Sequence, residues 1–340
     1  MPDPANEVVD LVFGRFRGQV LYASTVLGVF DHLSNDRDVE AAELASMINA
    51  DSSLLYRLLR ALATIGLLSE NENKAFRLTA AGALLRSDHP RSLRAMALVT
   101  QGPEAYAAWK HLVPIIRDGR PDGFRREFGV TIWDYAKANP AYRALFNQAM
   151  TSHSTVQTQL VTAALRSFDF SAISTICDVG GGHGHLVCGL LQAYPHLAGI
   201  VFDQPQVVAE TDLLWGPKLG LADRCRYLGG DMFREVPPAD LYTLKMILHD
   251  WSDDDCIRIL STIRRASSAS VNLFIAGVVI PGPSEPHFAK LLDVHMMCMQ
   301  SGRERTTNEY AGLLSAAGWR YTGTYHPPEG LMSVIAAVPA

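Results

Sequence analysis

The 340-residue chain has no uncharged apolar run approaching the ~18 residues of a bilayer-crossing helix, so a helical membrane protein is not expected. Its opening residues, MPDPANEVVD, are acidic and lack the basic-then-apolar pattern of a secretory leader; a cytoplasmic protein is the expectation. Cysteine is scarce. Cys177, Cys188, Cys225, Cys256 and Cys298 are odd in number and none forms a C-x-x-C pair. Dispersed buried thiols are therefore expected, not a disulfide framework or a metal site. A basic excess is missing too: 30 Lys and Arg against 35 Asp and Glu leave a net charge of −5, which gives no general attraction to nucleic acid. What is present is a 48% hydrophobic fraction, enough for real cores, and a length that suggests two domains at ~100–200 residues each.

Residues 1–165 read as helical. Within AAELASMINADSSLLYRLLRALATIGLL, the residues Leu55, Leu58, Leu59, Leu62 and Ile65 form one apolar stripe at helical spacing. Asp51 or Ser52 can cap that helix and Gly66 can end it. The following LLSENENKAFRLT reads as two short strands around a polar turn, completing a winged-helix pattern. DNA binding is disfavoured by charge: between residues 40 and 88 the acids outnumber the bases by one, whereas a DNA reader gains affinity by neutralising phosphates. A scaffold or dimerisation role is preferred. Residues 166–340 instead alternate strands and helices. STICDVG, AGIVFD, CRYLGGD, DLYTLKMILHD, NLFIAGVVI and MSVIAAV are strand candidates, and 253–266 is a helix with Ile257, Leu260 and Ile263 on one side. Such alternation predicts an α/β doubly wound, Rossmann-like sheet, with ligands bound beyond the carboxyl ends of its strands.

The densest signal is DVGGGHGHL at 178–186. A dinucleotide G-x-G-x-x-G beginning at Gly180 would need its third glycine at His185, and no G-K-[ST] follows as a phosphate loop requires, so both readings fail. The spacing that fits is G-x-G-x-G at Gly180, Gly182 and Gly184, where backbone can approach a ligand and the next helix offers N–H groups to a carboxylate. S-adenosylmethionine carries such a carboxylate beside an ammonium and a sulfonium. The next strand ends at Asp203, an acid suited to ribose hydroxyls and a cationic ligand. The third ends at Asp231, which can accept from an adenine amino group, with Met232 offering soft apolar contact. The fourth ends near His249, whose ordinary pKa of ~6.5 suits a general base. Ser252 and Asp255 make an S-x-x-D cap, so Asp253, Asp254 and Asp255 are read as helix-start residues.

Taken together, DVGGGHGHL, FDQPQVV, GDMF and LHDWSDDDC, with FNQAMTSHST upstream and RERTTNEY downstream, resemble the plant-type small-molecule O-methyltransferases: the caffeate, flavonoid and hydroxyindole enzymes and their bacterial natural-product relatives. The resemblance covers essentially the whole chain. It implies a class I methyltransferase domain at 166–340 behind a helical winged-helix dimerisation and substrate-lid domain at 1–165, assembled as a homodimer. It implies that Gly180, Asp203, Asp231, Met232 and Lys245 hold S-adenosylmethionine, with Ser154 at its methionine end and no metal. His249 would be the base and Glu304 its flanking carboxylate. Phe146, Met150, Trp251, His295, Met296 and Met299 would line the pocket of an aromatic or polyketide-like acceptor.

One position departs from the family pattern. The strand that usually carries a second glutamate beside the histidine reads FIAGVVIPG, with Gly277 in its place. A flanking carboxylate orients the imidazole and stabilises imidazolium, so its loss keeps two alternatives open: an enzyme that binds the cofactor but catalyses a pericyclic or hydroxylation step, and methyl transfer to nitrogen or carbon. The primary expectation is methyl transfer to a hydroxyl of an aromatic or enolic small molecule in secondary metabolism.

Overall fold

The computed structural model describes residues 3–340. Its contacts divide the chain into two compact units: residues up to Lys110 with Val130–His153, and His111–Gly129 with Ser154–Ala340.

In the first unit, helices Ala41–Ile48 and Ser52–Thr64 precede a hairpin of Leu68–Glu70 and Ala75–Leu78, and Val39–Glu40 joins that hairpin as a third antiparallel strand. The helix–turn–helix–hairpin order is the one the sequence predicts. Asp51 caps the second helix by accepting from the Leu54 N–H at 2.8 Å. Gly66 stops it at φ +79°, a conformation that disfavours a side chain. Leu55, Leu59 and Leu62 are buried against Leu44, Leu68 and Phe76. A long helix, Pro4–Val26, precedes these elements.

The second unit is built on one sheet. Its strands are β1 (Thr175–Val179), β2 (Ala198–Asp203), β3 (Cys225–Gly229), β4 (Leu241–Lys245), β5 (Asn272–Ile280), β6 (Trp319–Tyr325) and β7 (Met332–Pro339). They lie in the order β3-β2-β1-β4-β5-β7-β6. β1 to β5 are parallel, and β7 runs antiparallel to both neighbours. The pair Arg305–Thr306 adds in parallel to the end of β5. β6 is the strand the sequence reading did not include; WRYTGTY lacks an apolar run, and its ladder shifts register between Tyr321 and Gly323.

The helices that matter to the site are α1 (Pro140–Ala164), α2 (His185–Ala193), α3 (Asp253–Ala266), α4 (Phe288–Met299) and α5 (Thr307–Ala316). On one sheet face Val161 of α1 and Leu186, Val187 and Leu190 of α2 pack with Phe274. On the other, Ile259 and Ile263 of α3 and Tyr310 and Leu314 of α5 pack with Tyr242, Leu273 and Ile275. Strand order reverses at β1, which has β2 on one side and β4 on the other. That makes the carboxyl ends of β1 and β4 the topological switch where such sheets bind ligands. Among the described residues no helix is long and apolar enough to cross a membrane, and the five cysteines are buried free thiols.

Candidate functional site

The turn after β1 needs its glycines. Gly180, Gly182 and Gly184 have φ of 73°, 57° and 92°, the left-handed region that a Cβ disfavours. At Gly184 a Cβ would also sit 2.7 Å from the Tyr227 hydroxyl. The bare turn is held from the tip of β2: the Asp203 carboxylate accepts from the Gly182 N–H at 2.8 Å and from the Gln204 N–H at 2.7 Å. Burial pushes the Asp203 carboxyl up, and those two donors oppose the push. Beyond β3, Asp231 is exposed, accepts from the Phe233 N–H at 2.9 Å, and borders a hollow of about 600 Å³ lined by Pro205, Gly230, Arg234 and Glu235 as well. Met232 is half-buried against the core.

Lys245, the last residue of β4, donates to Ser154 Oγ at 3.1 Å and Gln157 Oε1 at 3.3 Å. Burial lowers its pKa, and the Asp178 charge opposes that fall. Asp178 on β1 is 1% exposed and accepts from the Thr243 hydroxyl at 2.6 Å. Burial raises its pKa to about 6. Its second oxygen has no partner among the described residues. The sequence reading gave Lys245 and Ser154 separate cofactor roles through resemblance; the structure brings the two side chains into contact. It missed Gln157 and Asp178, although Asp178 stands beside the glycines.

His249 sits on the short turn Leu248–Asp250 that follows β4. The preceding Met246 has a φ of 55°, unusual for a residue with a side chain. The His249 Nδ1 lies 2.9 Å from Glu304 Oε1, and its Nε2 lies 3.4 Å from Asp250 Oδ1. Burial disfavours the imidazolium, but Asp250 and Glu304 outweigh it, so His249 titrates above its ordinary value. Asp250 itself is pushed up by burial and pulled back by His249. On α4, His295 is lowered by burial and then by the His249 charge. The imidazole therefore faces two carboxylates even with Gly277 in the chain. The sequence reading counted Glu304 alone, because a lone aspartate beside a histidine carries no periodic signal.

Arg305 locks this turn. It is fully buried and donates to the carbonyls of Leu248 at 2.8 Å and Trp251 at 2.9 Å and to Asp253 Oδ1. Asp253 thus does more than start α3. Ser252 caps that helix by accepting from the Asp255 N–H at 3.2 Å, while the Asp255 carboxylate accepts a hydrogen bond from the Ser252 hydroxyl at 2.9 Å rather than closing a full capping box. Of the expected pocket residues, Trp251 packs edge-on against Phe233 with ring centres 4.9 Å apart. Met296 and Met299 are buried on α4. Phe146 belongs to the first unit and packs with Trp133 and Tyr142, and Met150 of that unit is 37% exposed.

A parallel sheet reversing at β1, a terminal antiparallel β7 between β5 and β6, and a glycine turn held by the next strand's acid define a class I S-adenosylmethionine methyltransferase fold. Family models agree: residues 109–320 match the O-methyltransferase domain and residues 9–88 the O-methyltransferase dimerisation domain. The chain is 36% identical to phenazine O-methyltransferase PhzM of Lysobacter antibioticus, over 98% of this chain and 95% of that protein. It is 37% identical to O-demethylpuromycin-O-methyltransferase of Streptomyces alboniger, over 98% and 89%. The SAH-bound crystal structure of CalO1, a methyltransferase in calicheamicin biosynthesis, superposes with a TM-score of 0.87 at 32% identity, covering all of both chains. The chain belongs to the O-methyltransferase family and is an S-adenosylmethionine-dependent enzyme. The residues present fit that cofactor. The left-handed glycine turn leaves backbone bare, Asp203 offers a half-buried carboxylate, and Lys245, Ser154 and Gln157 supply a polar cluster at the β4 tip.

Proposed function

We propose that the protein methylates a hydroxyl of an aromatic or enolic small molecule, with His249 as the base. The observation that carries this is the 2.9 Å contact between His249 Nδ1 and the fully buried Glu304. The shorter contact favours Nδ1 as the donor, and Nε2, 3.4 Å from Asp250 Oδ1, is the nitrogen proposed to take the acceptor's proton. Asp250 and Glu304 then stabilise the imidazolium that forms. S-adenosylmethionine, when bound, supplies a methyl group already activated on a sulfonium. Gly180, Gly182, Gly184, Asp203, Asp231, Met232, Lys245 and Ser154 are the residues proposed to hold it. Positioning of the two reactants by such a site can contribute about 7–11 kcal/mol.

Phe146, Met150, Trp251, His295, Met296 and Met299 are proposed to contact the acceptor, and residues 1–165 to form the dimerisation and lid domain. A homodimer is supported by the exposed apolar side chains of the first helix: Leu11 is 81% exposed, Val12 66%, Phe13 50% and Phe16 61%. Monomeric proteins rarely leave so continuous an apolar surface open. The match of residues 9–88 to a dimerisation domain points the same way.

The test is to incubate the protein with methyl-deuterated S-adenosylmethionine and a panel of phenols, enols, anilines and enamines, and to follow products by mass spectrometry. The expected product carries the label on oxygen. Label on nitrogen or carbon alone, or an altered acceptor without label, would overturn the proposal.

A further inference from the structure

The glycine turn is also held from β3, by a tyrosine outside the set of residues that the family resemblance carries over. Tyr227 pairs with Val201 of β2 and is half-buried. Its hydroxyl donates to the His183 carbonyl at 3.1 Å and accepts from the Gly216 N–H at 2.8 Å. Burial pushes the phenol up, so it keeps its proton and can donate. The Trp215 N–H reaches the same His183 carbonyl at 3.0 Å, and the Trp215 ring lies 4.5 Å from that of His185, the first residue of α2. The His183 side chain adds a further tie: its Nε2 lies 2.8 Å from Glu210 Oε2. Residues 210–216, on the connection from β2 to β3, are thus fastened to the turn around one residue, His183. Two glycines make room for the tyrosine. A Cβ at Gly184 would sit 2.7 Å from the Tyr227 hydroxyl, and a Cβ at Gly216 would sit 3.1 Å from it and from Cys225 Cβ. Unlike Gly184, Gly216 has no positive φ, so close approach to β3 is what its missing side chain serves.

We propose that Tyr227 and Glu210 are positioning residues for the cofactor: they fix His183, and with it the peptide leading into Gly184 and α2, in the shape that receives S-adenosylmethionine. The reason is conformational freedom. Glycine has the widest backbone choice of any residue, so a turn built on Gly180, Gly182 and Gly184 loses much entropy if the ligand alone must order it. The peptide joining His183 to Gly184 is held at its N–H by the Gly181 carbonyl at 3.0 Å, a bond internal to the turn. Its C=O is held by Tyr227 and Trp215, which anchor the turn to β3 and to residues 210–216. A turn ordered beforehand binds more tightly because less freedom remains to be lost. The inference rests on the glycine turn being the cofactor's seat.

The test is Tyr227→Phe, which keeps the ring and deletes the hydroxyl, beside Glu210→Ala, which removes a carboxylate whose side chain is 39% exposed and decides the matter should Tyr227→Phe fail to fold. Each variant is read in two ways: calorimetric affinity for S-adenosylhomocysteine, and amide hydrogen exchange of the protein without cofactor, followed by mass spectrometry. Affinity is expected to fall roughly three- to tenfold in each variant, the worth of one neutral hydrogen bond. Exchange should quicken across residues 180–186 while β4 and β5 keep their wild-type rates. Wild-type affinity in the folded variants, or a turn whose exchange quickens no more than that of β4 and β5, would overturn the proposal, because a purely structural role lowers Tm and quickens exchange throughout the sheet. Failure of the wild type to bind S-adenosylhomocysteine would remove the cofactor reading and this inference with it. Binding by the wild type with unaltered affinity and exchange in the variants removes the inference alone.

Discussion

Replacing Glu304 with Gln gives the sharpest view of how this site works. The carboxylate is fully buried and contacts His249 Nδ1 at 2.9 Å. A hydrogen bond between charged partners contributes about 1.5–3 kcal/mol, or roughly a ten- to hundredfold bias toward imidazolium. Only neutral His249 accepts a proton, and its pKa is raised, so kcat/KM in the wild type climbs as pH rises through that raised value. Glu304→Gln removes the charge, and the acid limb moves to lower pH. The plateau should fall by about 10–100-fold, because imidazolium in the transition state loses its partner and the amide no longer enforces the Nδ1–H tautomer. Stability follows the same sign. A histidine whose folded pKa is raised contributes stability that is fully present below its unfolded pKa and is lost as pH rises through the folded value. The variant should therefore lose more Tm at pH 5 than at pH 8. The assays are a pH–rate profile with labelled methyl donor and thermal unfolding at both pH values. An acid limb in its original place, with an undiminished plateau, would refute the reasoning.

Three further outcomes are expected. Gly184→Ala, forced into a left-handed conformation with a Cβ 2.7 Å from the Tyr227 hydroxyl, should abolish calorimetric binding of S-adenosylhomocysteine while circular dichroism still reports a folded sheet; retained affinity would contradict the role of the turn. Lys245→Met removes a buried ammonium whose pKa is lowered by burial, so Tm should rise by a few degrees at neutral pH while S-adenosylhomocysteine affinity falls; a lower Tm would contradict the account of its burial. The Phe13→Asp, Phe16→Asp double variant charges two half-exposed rings of the first helix and should run as a monomer in light scattering; an unchanged dimer would move the interface elsewhere.

The glycine turn was legible because backbone at positive φ tolerates little else, and the acid at the β2 tip because it ends an apolar strand. The winged-helix order was legible from one leucine stripe and its two stops, Asp51 and Gly66. β6 escaped because WRYTGTY mixes polar residues with a mid-strand glycine where the ladder slips, so neither alternation nor an apolar run marks it. Asp250 escaped because a single aspartate next to a histidine carries no periodic signal. Arg305 escaped for a different reason: its role arises when chain segments more than fifty residues apart meet at the His249 turn, and local pattern carries no trace of that meeting. The placement of His111–Gly129 with the C-terminal unit is likewise a property of tertiary contacts.

The central claim is that the β-strand tips bind the methyl donor and that His249 takes the acceptor's proton. The most direct test measures labelled methyl transfer and S-adenosylhomocysteine affinity together for wild type and His249→Ala. The account predicts that the variant loses about 10²–10⁴-fold in turnover while affinity is preserved. Undiminished turnover in His249→Ala, or no binding of S-adenosylhomocysteine by the wild type, would contradict it.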